Sequence, residues 1–167
     1  VVPVPTIALI QGGCFGGGTG IASVCDIVVA ADNAIFAITE ARWGLIAGII
    51  LPQLCHAMGV RNVRRYALTC ERFGPEAALR MGFVHEICKL EDLEATGERI
   101  VDGLLMNAPG AVSATKMRTL EVSGSLIDDT LFDALVREHS ALRQLPESAE
   151  GTASFIEKRA PAWYPSK

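Results

Sequence analysis

Positive charge is in short supply in this chain: 15 lysines and arginines stand against 19 aspartates and glutamates, for a net charge of −4 over 167 residues. Nucleic-acid backbones are held by concentrated positive charge, so this balance excludes general nucleic-acid binding. Arg61, Arg64 and Arg65 form one local cluster. It reads as a solvated helix face, with contact to an acidic ligand group or another subunit as the alternative. No CxxC pair occurs among Cys14, Cys25, Cys55, Cys70 and Cys88, which leaves zinc binding and dithiol redox chemistry without support. Thiols in apolar surroundings and odd in number are expected to be free, in a reducing compartment. His56, His85 and His139 are too scattered to make a metal-ligand set. The sequence shows no signal peptide and no apolar run of membrane-spanning length, so no membrane association is expected and the location reads as cytoplasmic. Repeats, low-complexity segments, a P-loop and a GxSxG elbow are all missing as well.

What the chain has instead is glycine in one place. The run Gly12-Gly13-Cys14-Phe15-Gly16-Gly17-Gly18-Thr19-Gly20 follows the apolar stretch Thr6–Ile10 and precedes a short helical pattern. Glycines packed between a strand and a helix allow backbone to approach a ligand closely, or to turn where Cβ atoms would clash. Free N–H groups at the start of the helix are placed to hold an anion or a developing oxyanion.

Half of the residues are hydrophobic, and the length suits one domain with a real core. Thr6–Ile10 reads as a buried strand, residues 18–25 as a short helix, Asp26–Ala31 as a second buried strand and Ala34–Ile38 as a third. Asp26 reads as a local structural hydrogen-bonding residue. From Leu51 the apolar spacing turns helical through Met58, and further helices are expected over 62–68 and from Pro75 to Met81. Phe83–Ile87 looks like a strand. Beyond Glu91 the pattern is helical, interrupted at Ala108-Pro109-Gly110, around Gly124-Ser125 and at Pro146. The expected organisation is therefore α/β over residues 1–90 and all helix over 91–167. The opening Val1-Val2-Pro3-Val4-Pro5 leads almost at once into a strand that reads as buried, and a buried strand needs neighbours on both sides. The expectation is that an N-terminal part is missing.

Dinucleotide binding is the obvious rival for a strand–glycine–helix unit. Its fingerprint needs a third glycine where Ser23 or Ile21 stands, and a longer crossover to the next strand than this chain provides.

The blocks Gly16-Gly17-Gly18-x-Gly20-(x)4-Cys25-Asp26-Ile27, Ala30-Ala31-(x)2-Ala34-x-Phe36 and Glu40-(x)3-Gly44-Leu45-Ile46 resemble the enoyl-CoA hydratase/isomerase (crotonase) superfamily. So do Gly74-(x)2-Ala77-Ala78-(x)3-Gly82-Phe83-Val84 and Phe155-Ile156-Glu157-Lys158-Arg159-x-Pro161, and the order of all these blocks is the family's. The resemblance implies a spiral of ββα turns, of which this is the C-terminal portion, followed by a helical trimerisation region. It implies an acyl-CoA substrate, no metal or redox cofactor, and a homotrimer or a dimer of trimers as the assembly.

By match to these blocks, the Gly17 N–H is expected to be one of two oxyanion donors and Glu40 the catalytic acid–base, a carboxyl desolvated between Ile38 and Trp43. Gly16, Gly20, Trp43, Ile46 and Gly48 are expected around the substrate; Phe155 and Lys158 match a C-terminal position that contacts acyl chain and CoA phosphate. Where two-glutamate hydratases carry a further glutamate, this chain has Gly20. That glycine is expected to open space for a branched or carboxylated acyl group. The one-glutamate pattern, with Arg64-Arg65-Tyr66-Ala67-Leu68-Thr69-x-Glu71-Arg72-Phe73, resembles the 3-methylglutaconyl-CoA and isohexenylglutaconyl-CoA hydratase branch. The implied activity is hydration of a branched, carboxylated enoyl-CoA, with Δ3,Δ2-enoyl-CoA isomerisation or non-catalytic acyl-CoA binding as alternatives.

Overall fold

The strand with the highest content of small and β-branched residues takes the centre. In a computed structural model that describes residues 2–165, β3 (Ile27–Ala31) lies between β1 (Ile7–Ile10) and β5 (Glu86–Cys88), all parallel. Val28, Val29, Ala30 and Ala31 are all buried, because both faces of β3 are covered. On one side Val28 and Ala30 join the main core; on the other Val29 and Ala31 pack with Leu93 and Ile100. A second parallel pair, β2 (Gly13–Phe15) with β4 (Ile35–Ala37), stands beside this sheet in register Cys14↔Phe36. Each turn of chain thus adds one strand to each layer and then a helix: β1, β2 and α1 (Gly17–Ser23), followed by β3, β4 and α2 (Leu51–Met58) with α3 (Val60–Thr69). This is the expected ββα arrangement.

Aromatic packing closes the core of these turns. Phe36 stacks on Phe73 at 5.5 Å between ring centres, and Phe83 meets Phe36 edge-on at 5.4 Å. Phe36 and Phe73 also exchange backbone hydrogen bonds at 2.9 and 3.0 Å, a single antiparallel bridge. α4 (Pro75–Arg80) has Pro at its start, where the missing N–H costs nothing.

Three expectations change here. β1 is an edge strand, with β3 as its one strand neighbour among the described residues and Leu9 42 % exposed, so its apolar run does not signal full burial. A strand was not expected inside the glycine run, yet β2 forms there, because pairing depends on β4 and not on local propensity. Phe83 and Val84 are buried in a turn ahead of a shorter, later β5. Of the cysteines, Cys70 alone is fully buried; the others are half-buried, and all are free thiols.

Contacts group the described chain into two units, residues 5–100 and residues 101–165 with 2–4, the division falling inside α5 (Leu93–Leu105). The second unit carries α6 (Pro109–Val122), α7 (Asp129–Leu142) and α8 (Pro146–Glu157). Prolines open α6 and α8, and the Asp128 carboxylate accepts the Leu131 N–H to cap α7. The Glu147 carboxylate accepts the N–H groups of Gly110 and Ala111 at 2.9 Å each, capping α6 from a distance in sequence. α6 and α7 contain no fully buried residue.

Candidate active site

The glycine run is held by β4. The Gly16 N–H donates to the Ala37 carbonyl at 2.9 Å, immediately after the Phe15↔Ala37 pair ends the ladder. Gly16 then turns with φ +50° and ψ −121°, a conformation that side-chain-bearing residues rarely adopt. Its carbonyl accepts the Thr19 N–H at 2.9 Å and the buried Thr19 hydroxyl at 2.7 Å, which starts α1. As the first two helical residues, Gly17 and Gly18 have no carbonyl a turn behind them. Among the described residues their N–H groups find no acceptor. Gly17 is exposed, and no atom lies within 4 Å of where its Cβ would be.

The same tie to β4 delivers the carboxylate. Three residues beyond Ala37, Glu40 opens a 3-10 turn, Glu40–Trp43, and its side chain folds over Gly16. A Cβ on Gly16 would stand 3.0 Å from Glu40 Oε1 and 3.2 Å from Thr39 Oγ1. The second oxygen, Oε2, is buried and has no hydrogen-bond partner. Leaving a carboxylate oxygen unpaired and out of water is costly, so such an atom marks a place built for a proton or a ligand. The 3-10 turn is clamped from below by Arg42, whose guanidinium donates to the Cys70 carbonyl at 3.0 Å at the end of α3.

Gly20 overturns an expectation. The room expected above it is taken: a Cβ there would lie 2.2 Å from Ile50 Cγ2 and 2.8 Å from Ile50 Cβ. Glycine at this position permits close approach of α1 to the start of α2; it does not leave a hollow. Trp43 differs too. It is 73 % exposed, so the burial of Glu40 comes from the Gly16 and Thr39 side and not from the indole.

The structure therefore gathers Gly16, Gly17, Gly20 and Glu40 at one end of α1. Ile46 and Gly48 lie on the exposed loop that follows Trp43; Ile46 is 80 % exposed, and Gly48 meets only the Ile46 side chain. Phe155 and Lys158 belong to the helical unit. There Phe155 is 85 % exposed and lines a cavity of about 530 Å³ with Leu142, Leu145 and Trp163, while Lys158 ends α8 in the left-handed conformation, φ +55°.

Ile50 and Thr39 were missed by sequence reasoning. Gly20, a glycine inside the short helix, was the available signal for Ile50, because a helical glycine leaves a seat for a side chain from elsewhere. Burial pushes the thiol of Cys14, also in the run, up to about 11, which disfavours its thiolate form.

A family described as enoyl-CoA hydratase/isomerase matches residues 1–166. The chain is 32 % identical to a mevalonyl-coenzyme A hydratase of Aspergillus fumigatus over 98 % of its own length and 61 % of that protein's. It is 30 % identical to a carnitinyl-CoA dehydratase of Escherichia coli K12, over 95 % of this chain and 62 % of that one. Among solved structures it resembles an enoyl-CoA hydratase from Shewanella pealeana with TM-score 0.91 and 37 % identity, covering 96 % of this chain and 60 % of that one. It also resembles Pseudomonas aeruginosa AtuE, with TM-score 0.91 and 35 % identity over 98 % and 63 % of the two chains. The chain thus spans about three fifths of the length of the curated relatives it matches.

Proposed function

Because the chain belongs to the enoyl-CoA hydratase/isomerase family, we propose that the protein carrying it is a hydro-lyase that adds water to, or removes it from, a branched enoyl-CoA thioester. Relatives named as a hydratase and as dehydratases of CoA esters support this direction of chemistry. The observation that carries the reading is that Glu40, its Oε2 buried and unpartnered, rests on Gly16, the residue before the open N–H of Gly17.

In this reading the thioester carbonyl accepts the Gly17 N–H. Charge that builds on that oxygen as the α-carbon becomes enolate-like is held by a donor already in place, so little reorganisation is needed. A second donor completes the oxyanion site in this reading. On hydration the Glu40 carboxylate takes a proton from the attacking water as its oxygen bonds to the β-carbon, and delivers that proton to the α-carbon; dehydration runs the same transfers in reverse. Gly16 is needed as glycine because the carboxylate rests on it. CoA enters as part of the substrate, and the chemistry calls for no metal or redox cofactor. Trp43, Ile46 and Gly48 border the acyl group, and Phe155 and Lys158 serve the acyl chain and CoA phosphate bound to a neighbouring subunit, Lys158 as a point charge. A carboxylate on the acyl group lies away from Gly20, since Ile50 fills that seat.

The assembly we propose is a homotrimer or a dimer of trimers. The exposed apolar side chains of the helical unit, among them Leu126, Ile127 and Phe132, support burial against other subunits.

The test is turnover of 3-methylglutaconyl-CoA and crotonyl-CoA by the whole protein, beside Glu40→Gln. Water addition to the glutaconyl ester in preference, lost in the variant, is the expected result. No turnover of either by folded, CoA-binding protein refutes the reading. A Δ3,Δ2-enoyl-CoA isomerase is the second reading, favoured by one observation: the seat beside Glu40 on α1 holds the apolar Ile50 and no second acid. Oxygen-18 from solvent enters the product only on hydration.

A further inference from the structure

Two side chains from beyond α1 fill places left by glycines at its start: Glu40 rests over Gly16, the residue before the helix, and Ile50 over Gly20, in its first turn. The fit at Gly20 is the tighter of the two. Ile50 Cγ2 stands so close that no side chain larger than hydrogen fits beneath it.

Ile50 is itself well fixed. It is the residue that starts α2: its N–H donates to the Ala47 carbonyl at 2.9 Å, and its own carbonyl accepts the Leu54 N–H at 3.0 Å. Leu54 is fully buried. β-branching restricts the Ile50 side chain further. Yet Ile50 is only half-buried, so part of its apolar surface stays open. A rigid apolar surface seated on the first turn of the helix that Gly17 opens is a wall for a carbon chain, because any polar group placed against it loses its hydration without compensation.

We infer that Ile50 is a specificity-determining residue of this site. Seated on Gly20, it is the wall against which the substituent on the acyl β-carbon packs, and it admits a β-carbon bearing at most one methyl branch and turns away doubly branched, larger or charged groups. The inference rests on the reading that Gly17 and Glu40 hold the carbonyl and α-carbon of an acyl-CoA. With those two atoms placed, the next carbon of the acyl group passes the next turn of α1, where Ile50 stands. A charged end of the acyl group then points away from α1, and the β-methyl points toward it.

Calorimetric binding of three unreactive saturated esters, butyryl-CoA, 3-methylbutyryl-CoA and 3,3-dimethylbutyryl-CoA, to the whole protein tests this without need of turnover. Wild type is expected to bind the first two and to discriminate against the dimethyl ester. Ile50→Ala is expected to shift the affinity ratio of dimethyl to unbranched ester by roughly tenfold or more, the value of a methyl-sized change in an apolar pocket. Ile50→Val keeps the wild-type order with a smaller shift in the same direction, and it carries the test should the alanine variant fail to fold. If the variants change all three affinities by one common factor, Ile50 is a structural residue and the inference is overturned. Wild type that binds the esters with the expected ratios but turns over no enoyl-CoA refutes the hydro-lyase reading and leaves the role of Ile50 standing. Wild type that binds none of the three overturns both.

Discussion

The carboxylate of Glu40 lies on Gly16: Oε1 is 3.0 Å from the point where a Cβ on that glycine would stand, and Oε2 is buried with no partner. Gly16 serves in two ways at once. Its backbone turns with φ +50°, and its missing side chain leaves the seat for the acid. Gly16→Ala is expected to cost about 1–3 kcal/mol through the strained backbone. It should lower activity further than the stability loss explains, because Glu40 is pushed off its seat. Thermal unfolding measured beside kcat at a temperature where the variant is fully folded separates the two. Full activity in a folded alanine variant would show that the seat does not matter.

Glu40→Gln removes the movable proton and leaves the shape. The expected loss in kcat is about 10²–10⁴, the range for a lost general acid–base. Because Oε2 makes no hydrogen bond, the amide breaks none, and the unfolding midpoint should stay level or rise. A large drop in unfolding temperature would mean that the carboxylate is structural.

The Gly20–Ile50 contact predicts non-additive energetics. Gly20→Ala alone forces Ile50 aside and should destabilise by roughly 1–3 kcal/mol, as overpacked cores do. With Ile50→Ala in the same chain the closest clash atom, Cγ2, is gone while Cβ at 2.8 Å remains, and part of the cost of the second substitution should vanish. A denaturant double-mutant cycle reads this as a coupling energy; simple additivity of the two would show that the residues do not touch.

Acid sensitivity in the helical unit has a definite source. The Arg159 guanidinium grips Glu150 through two bonds, at 2.6 and 2.8 Å, and with the Ala162 N–H at 2.9 Å it holds the Glu150 carboxyl well down, at about 2. A carboxyl depressed in the folded chain contributes stability that is complete above the ordinary carboxylate range. That stability fades as pH falls from about 4.5 through about 2. Unfolding curves across that window should be flatter for Glu150→Gln than for wild type. Identical acid dependence in the two would remove the pair from the account.

How far the chain could be read from its letters depends on the range of the interaction. α2 and α4 were legible from the apolar period beginning at Leu51 and from Pro75, since both signals lie within a turn or two of the residues they organise. The breaks before α6 and α8 were legible for the same reason, from Pro109 and Pro146. β2 was not legible, because Gly13, Cys14 and Phe15 are too few to show an alternating pattern and take their conformation from β4. Of the site, Gly17 and Glu40 could be named from pattern, whereas the partner of each could not. That Gly16 seats Glu40, that Trp43 stands in solvent, and that Ile50 fills Gly20 depend on segments far apart in the chain.

The sequence by itself determined the glycine-rich turn, the position of the acid, the α/β-then-helix order and the family blocks, because each is written in local composition and spacing. Only the tertiary structure decided what occupies the space above each glycine. A missing side chain is a vacancy in sequence, but whether it becomes a pocket, a seat for a carboxylate or a close-packed contact is settled by which distant side chain folds into it. At Gly16 that is Glu40, at Gly20 it is Ile50, and at Gly17 it is open space.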